Sequence, residues 1–385
     1  MKNILFLHAG AEMYGADKVM LDLITRLDKN KYRLYVILPS EGILVDELRK
    51  ANIDVMVMPY PIMRRKYFNP KGIIEYFYNL VKYTNLIETY AKEKHIDLIH
   101  TNTAATLEGS FVSKKLHIPQ LWSIHEIIVT PKLMYKVTSK LIAKYSSITI
   151  TDSIAVKKHL DESNYFKPDA VKVIYNGVDA TRFNPEVSCE YLYEEWKIPR
   201  DAKVIGMMGR VKSWKGQHDF LKAANVIMQK HKDVYTVFVG AAFAGEEWRE
   251  KELAEAIEQS PYKDRIVNKG YRTDSEGIYK LFDVFVLPST NPDPLPTVVL
   301  ENMASGNPIV GYKHGGICEM VKEGYNGLLA EVRNPEDLAN KIEIILDDDQ
   351  LRKTMGENSR MRLLNKFSIE SYVQNYSDEY DRLLK

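Results

Sequence analysis

Arg210 and Lys215 stand in the run Gly209-Arg210-Val211-Lys212-Ser213-Trp214-Lys215-Gly216, directly after the apolar residues Val204 to Met208. Two permanent cations at the end of a strand can hold a diphosphate and neutralise the charge that develops as it departs. Taken alone, the same residues also suit a solvated basic loop. A second run, Asn291-Pro292-Asp293-Pro294-Leu295-Pro296-Thr297-Val298-Val299-Leu300-Glu301, follows the apolar residues Val284 to Leu287. Proline is tolerated in the first turn of a helix, so Pro296 predicts a helix start that leaves the amides of Thr297 and Val298 to donate to phosphate, with Leu295 beside them. Asp293 then lies in the preceding loop and Glu301 about one turn inside the helix. Such a pair of carboxylates can bind hydroxyls of a sugar on one side and of a ribose on the other. The alternative is an acid favoured by the helix dipole plus a solvated glutamate.

Three further stretches have the right residue types. Gly10-Ala11-Glu12-Met13-Tyr14-Gly15-Ala16-Asp17 follows the apolar residues Ile4 to Leu7 and opens a helical pattern. Small residues such as Gly15 let backbone amides approach an anion, although the same spacing makes a plain strand-to-helix turn. It is not the G-x-G-x-x-G fingerprint of dinucleotide binding, which disfavours a nicotinamide dehydrogenase. Tyr271-Arg272, after Gly270, is a place for a nucleotide base to rest. His125, in Trp122-Ser123-Ile124-His125-Glu126, ends another apolar run, a position where a lone histidine is usually structural.

The elements that must position these residues alternate. Short β-branched runs at Ile4 to Leu7, Leu34 to Leu38, Val55 to Met58, Leu98 to His100, Leu121 to Ile124, Ile148 to Ile150 and Val171 to Tyr175 are separated by helical patterns. Near-continuous hydrophobicity of this kind suits parallel strands covered on both faces. From Asn176 to Ala202 the rhythm lapses and Pro185 and Pro199 interrupt any helix, which predicts a linker. Strands resume at Val204 to Met208, Tyr235 to Val239, Ile266 to Val267, Val284 to Leu287, Ile309 to Val310 and Leu328 to Leu329. The expectation is an α/β protein of two Rossmann-like doubly wound domains, residues 1–175 and 203–367, joined by residues 176–202. Residues 368–385 form a helix able to pack on either domain. In open parallel sheets ligands bind beyond the carboxyl ends of the strands, so two facing domains would enclose a cleft lined by the loops above.

The order of motifs is similar to that of retaining glycosyltransferases of family 4, which have the GT-B fold. It runs Asn176-Gly177-Val178-Asp179, Phe183-Asn184-Pro185, Gly209-Arg210, Lys215-Gly216, the carboxylate pair, Gly315-Gly316, Glu319, Asn326-Gly327-Leu328-Leu329 and Pro335. Each motif is weak, but their joint order is specific. The resemblance covers nearly all of the second domain and, more loosely, the first. It implies that Arg210 and Lys215 contact the donor diphosphate, Glu301 the ribose and Asp293 the transferred sugar, with His125 near that sugar. Two departures stand out: the family commonly has Glu where this chain has Asp293, and adjacent glycines where this chain has Tyr14-Gly15. The resemblance also implies transfer with retention from a nucleotide-diphosphate sugar to a glycan or lipid-linked glycan. With no evident covalent nucleophile, displacement on one face through an oxocarbenium-like state is expected, the departing phosphate taking the acceptor proton. A nucleotide-sugar epimerase, a sugar phosphorylase or a non-catalytic nucleotide-sugar-binding subunit are the rival readings.

No cofactor or metal is called for by these residues. Asp347-Asp348-Asp349 lacks a preceding strand and is expected as solvated surface. Two cysteines, Cys189 and Cys318, form no disulfide or thiolate pattern, which suits a reducing, cytoplasmic setting. Composition is that of an ordinary globular protein, 45% hydrophobic and 27% charged, with net charge +1. The charge is uneven, however. Residues 1–175 hold 25 basic against 18 acidic residues, and the remainder 28 against 34. A basic first domain attracts an anionic surface; no pattern points to nucleic acid. Lys132, Lys136, Lys140 and Lys144 recur every fourth residue, with Leu133, Val137 and Leu141 beside them, and the plain alternative is a solvated face over a core-facing row. Together with Lys114, Lys115 and Arg64-Arg65-Lys66 they predict peripheral attachment to the inner, anionic leaflet of the cell membrane.

Overall fold

Each apolar run named from the sequence forms a strand in the computed structural model, which describes residues 1–385 apart from Arg65, Lys66, Val129 and Thr130. Two of the three residues in the run Arg64-Arg65-Lys66 therefore lie outside the described residues. The chain divides into two compact units, residues 1–177 with 370–385, and residues 178–369.

The first unit holds seven strands: β1 (Lys2–Leu7), β2 (Tyr32–Leu38), β3 (Asp54–Val57), β4 (Leu98–Thr101), β5 (Gln120–Ile124), β6 (Ile148–Thr151) and β7 (Val171–Val173). All pair in parallel, in the order β3-β2-β1-β4-β5-β6-β7. Helices α1 (Gly15–Arg26), α2 (Ile43–Lys50), α3 (Pro70–Glu93), α4 (Glu108–Leu116), α5 (Lys132–Tyr145) and α6 (Ile154–Asp161) make the crossovers. Because parallel crossovers are right-handed, α1 and α2, which lead leftward in this order, lie on one face of the sheet, and α3 to α6 lie on the other. Leu5, Leu7 and Ile99 point to the second face and pack with Ile87 of α3 and Val112 of α4. Phe6 and His100 alternate to the opposite face.

That face receives the last helix, α15 (Ile369–Leu383). Tyr376 stacks on His100 at 5.5 Å, and Tyr380 meets Phe6 edge-on at 6.4 Å. The His100 ring bonds Tyr380 Oη at 2.7 Å and Ser123 Oγ at 2.8 Å. Burial holds this imidazole well below its ordinary pKa, so it is neutral.

The second unit contains α7 (Glu190–Trp196), β8 (Lys203–Met208), α8 (Gln217–Lys230), β9 (Val234–Val239), α9 (Trp248–Glu258), β10 (Ile266–Lys269), α10 (Ser275–Leu281), β11 (Val284–Leu287), α11 (Thr297–Ala304), β12 (Ile309–Tyr312), α12 (Ile317–Met320), β13 (Gly327–Ala330), α13 (Pro335–Leu346) and α14 (Asp349–Lys366). Its sheet is again parallel, ordered β10-β9-β8-β11-β12-β13. Phe220, Ala224 and Ile227 of α8 and Leu338, Ile342 and Ile345 of α13 belong to one buried core. The passage expected as a linker belongs to this unit from Val178 onward and carries α7. In the acidic triplet, Asp348 accepts from the Leu351 amide at 2.9 Å and so caps α14, while Asp349 pairs with Arg352.

Candidate functional site

In the second unit, strand order reverses between β8 and β11, where loops diverge and leave room for a ligand. The loop Gly209 to Gly216 leaves β8 there. Gly216 has φ +83°, and a Cβ on it would lie 1.9 Å from the Pro288 carbonyl oxygen just after β11, so only glycine lets the two loops touch. The Thr290 amide donates to the Trp214 carbonyl at 2.7 Å. Lys215 Nζ donates to both carboxylate oxygens of Asp293, at 3.0 and 2.8 Å, and Ser289 Oγ donates to the same group at 2.7 Å. The loop after β12 closes on the pair, with the Gly316 amide donating to the Asp293 carbonyl at 2.8 Å. A Cβ on Gly316 would meet the Pro294 carbonyl oxygen at 1.8 Å.

Cations gather on the aromatic faces of this loop. The Arg210 guanidinium lies 3.4 Å from the Phe243 centroid, Lys212 Nζ 5.5 Å from the same ring, and Lys215 Nζ 4.7 Å from that of Trp214. Ring faces attract cations, which lets three of them sit close together. Burial lowers the Lys212 pKa, and the charges of Arg210, Lys215 and Arg249 push the same way, with Glu246 pulling against them. Crowded positive charge of this kind is relieved by an anion.

α11 begins at Thr297, with Pro296 as the residue before its first turn. The first amides of a helix have no acceptor within it, which leaves those of Thr297 and Val298 to other partners. Leu295 is buried. Glu301 is buried too and accepts from Tyr279 Oη at 2.7 Å. Burial, and then the Glu301 charge, raise the Tyr279 pKa far above its ordinary value, which keeps the hydroxyl a donor.

Tyr271 is exposed. The Arg272 fork is taken up by two carboxylates, Asp274 at 2.9 and 2.7 Å and Glu195 at 2.7 and 3.1 Å. These bonds raise the Arg272 pKa, and the Arg272 bond is the main reason that Asp274 falls to about 2. Arg272 thus ties α7 to the loop after β10.

In the first unit, the residue that follows each of four neighbouring strands is polar: His8 after β1, Asn102 after β4, His125 after β5 and Asp152 after β6. They make one row along the carboxyl edge of the sheet. His8 Nε2 bonds Asp17 at 2.6 Å, and His8 Nδ1 lies 3.1 Å from the Asn102 carbonyl oxygen. Asn102 Oδ1 is 2.9 Å from His125 Nε2, and His125 Nδ1 is 3.4 Å from Asp152 Oδ2. Burial pushes the His125 pKa down, but the Asp152 hydrogen bond and charge, with Glu126 adding to them, leave it above the ordinary imidazole value.

At Gly15, which opens α1, the Tyr14 amide already donates to Asp17 Oδ2 at 2.8 Å. Burial raises the Asp17 pKa, yet His8 and the amides of Tyr14 and Met13 outweigh it and keep the carboxylate charged. An anion at this helix start would meet that negative charge. His8, Asn102, Asp152 and Lys212 were not singled out from the sequence. The signal that finds the first three is positional, namely the first polar residue beyond each apolar strand.

Across α5, the alternative of a core-facing row beside the lysines holds only in part. Leu133 and Val137 are 71% and 42% exposed, whereas Thr138, Ser139 and Ile142 are buried and Leu141 packs partly buried against the core, so of the row beside the lysines only Leu141 faces the core. Among the described residues, no helix is long and apolar enough to cross a membrane, and no group of three or more His, Cys, Asp or Glu side chains is placed to hold a metal ion.

Two family models match the chain. "Glycosyltransferase Family 4" covers residues 13–182 and "Glycosyl transferases group 1" residues 192–362. The chain is 27% identical to the UDP-Gal:alpha-D-GlcNAc-diphosphoundecaprenol alpha-1,3-galactosyltransferase of Escherichia coli, over 95% of this chain and 93% of that one. It is 25% identical to the capsular polysaccharide biosynthesis glycosyltransferase CapM of Staphylococcus aureus, over 89% and 93%. Among solved structures, Anabaena HepE in complex with UDP and glucose superposes with a TM-score of 0.85 at 26% identity, over 99% of this chain and 100% of that one.

Proposed function

From the premise that the chain is a family-4-like glycosyltransferase of the GT-B fold, we propose that it moves a sugar, with retention, from a nucleotide-diphosphate sugar to a glycan or lipid-linked glycan in cell-surface polysaccharide synthesis. The observation that carries this reading is the cluster of Arg210, Lys212 and Lys215 in the loop after β8, at the point where strand order reverses, with Lys215 bonded to Asp293 in the loop that leads into α11. A diphosphate placed there meets fixed cations and helix amides together, so the charge that develops on the leaving group is stabilised without rearrangement. UDP is the first candidate nucleotide, because HepE binds it and the E. coli relative is named for UDP-Gal.

In the proposed reaction the bond from the anomeric carbon to the diphosphate oxygen breaks, and the acceptor oxygen bonds that carbon on the same face. The departing phosphate takes the acceptor proton. Glu301, held by Tyr279, addresses the ribose, and Asp293, held by Lys215 and Ser289, addresses the sugar. For His125, in the first unit, the role proposed is the one that the resemblance to family 4 implies, near the transferred sugar. Tyr271 is retained as the resting place of the base, and Arg272 acts there through the loop it braces. The acceptor reading places the enzyme at the inner leaflet of the cell membrane, held by the α5 lysines.

The test is a thermal-shift panel of nucleoside diphosphates, followed by release of the selected nucleotide from its sugar with and without acceptor glycan. Selective stabilisation and acceptor-dependent release are expected. Lys215→Ala should lower kcat by about a hundredfold or more, as losses of single charge-stabilising donors do. Release without acceptor, or near wild-type kcat in a folded Lys215→Ala protein, would overturn the reading.

A further inference from the structure

Helix α3 carries two apolar stripes where a surface helix needs one. Tyr76, Leu80 and Ile87 face the core of the first unit. On the opposite side of its first three turns, Ile74 is 71% exposed, Phe77 59%, Tyr78 70% and Val81 62%. The spacing of these four is that of one helix face, with Lys71 and Lys82 along its flank. Beyond Val81 the outer face turns polar. There Lys115 of α4 bonds Asn85 and Glu88, at 2.8 and 2.9 Å. Large apolar side chains gathered on one solvent face mark an interaction surface.

α5 lies in the same helix layer, with α4 between: Phe111 of α4 meets Tyr145 of α5 at 5.8 Å. The outer face of α5 mixes Lys132, Lys136, Lys140 and Lys144 with the exposed Leu133 and Val137. An apolar ridge beside a lysine-rich helix complements one occupant above others, the boundary between anionic headgroups and acyl chains of a bilayer. A second copy of this chain would bring lysine face against lysine face.

We propose that the outer face of the first half of α3 inserts into the membrane interface, while the α5 lysines contact anionic headgroups beside it. This rests on the membrane attachment proposed above and adds the side chains that enter the lipid. The lysines alone make attachment wholly reversible by salt, whereas an inserted ridge leaves a salt-resistant part.

The experiment uses the full chain and vesicles of phosphatidylcholine with about 30% phosphatidylglycerol. Wild type should co-sediment at low salt and keep a bound fraction at high salt. The triple variant Ile74→Ser/Phe77→Ser/Val81→Ser should bind about tenfold more weakly and lose the salt-resistant fraction. It removes only exposed side chains, and an unchanged melting curve and nucleoside-diphosphate shift verify its fold. In a separate Phe77→Trp protein, tryptophan emission should move to shorter wavelength when vesicles are added. Wild-type-like binding by the triple variant, or no emission shift, overturns the insertion. So does a wild-type dimer that the triple variant abolishes while vesicle binding stays unchanged, because the ridge is then an interface between copies. If wild type ignores the vesicles altogether, membrane attachment itself fails, and transfer to a soluble acceptor remains the separate test of the enzyme.

Discussion

His125 shows how a single neighbour sets the behaviour of a site residue. Burial alone would keep its ring neutral, yet Asp152 at 3.4 Å holds the pKa above the ordinary value. Asp152→Asn keeps the shape and removes the charge, so the His125 titration should move down by about one unit or more, as loss of an opposite charge does. The stability consequence follows in sign. A histidine whose pKa is raised in the folded state adds stability below its unfolded pKa of about 6.5, and the gain is lost as pH rises through the folded value. Wild type should therefore exceed Asp152→Asn in unfolding free energy at pH 5, and the gap should shrink by pH 9. Histidine NMR titration with denaturant unfolding at both pH values checks this; an unmoved titration would show that Asp152 does not act on the ring.

At the scale of elements, the last helix acts as part of the first sheet's packing. Tyr376 and Tyr380 are fully buried, and their hydroxyls complete the hydrogen bonds of Ser123 and His100. Tyr376→Ala empties a large buried volume and should cost about 3 to 5 kcal/mol, as aromatic truncations in cores do. Tyr380→Phe keeps the volume but orphans a buried His100 nitrogen, a loss of about 1 to 3 kcal/mol. Denaturant titration of both variants measures the ranking. A Tyr380→Phe loss equal to that of Tyr376→Ala would mean that the polar contact outweighs packing on this face.

At the scale of the whole molecule, the prediction concerns what the donor end of the reaction requires. In the proposed reaction Arg210, Lys212, Lys215 and the α11 amides would supply the positive potential that a divalent cation supplies to diphosphates elsewhere. Acceptor-dependent nucleotide release should therefore continue largely unchanged in excess EDTA. Complete loss in chelator, restored by manganese or magnesium, would show that these side chains need a metal beside them.

The strands were legible because an element buried on both faces is mostly apolar, as most residues of the runs from Ile4 to Leu329 are; polar exceptions such as His100 and Ser123 find hydrogen-bond partners inside the fold. The loop contacts at the second sheet's switch point were legible for a related reason: glycine and proline cluster where backbone must turn sharply or approach closely, as at Gly216 against Pro288. Sequence spacing alone was silent on partners far apart in the chain. Lys215 with Asp293, Arg272 with Glu195, and the row His8, Asn102, His125 and Asp152 exist only because strand order places distant loops side by side. The outward direction of Leu133 and Val137 and the exposed ridge of α3 were likewise undecided, since an apolar stripe looks the same whether a core or a lipid surface covers it. Burial is a property of what packs against a residue, and that is settled only when the helix layer is assembled.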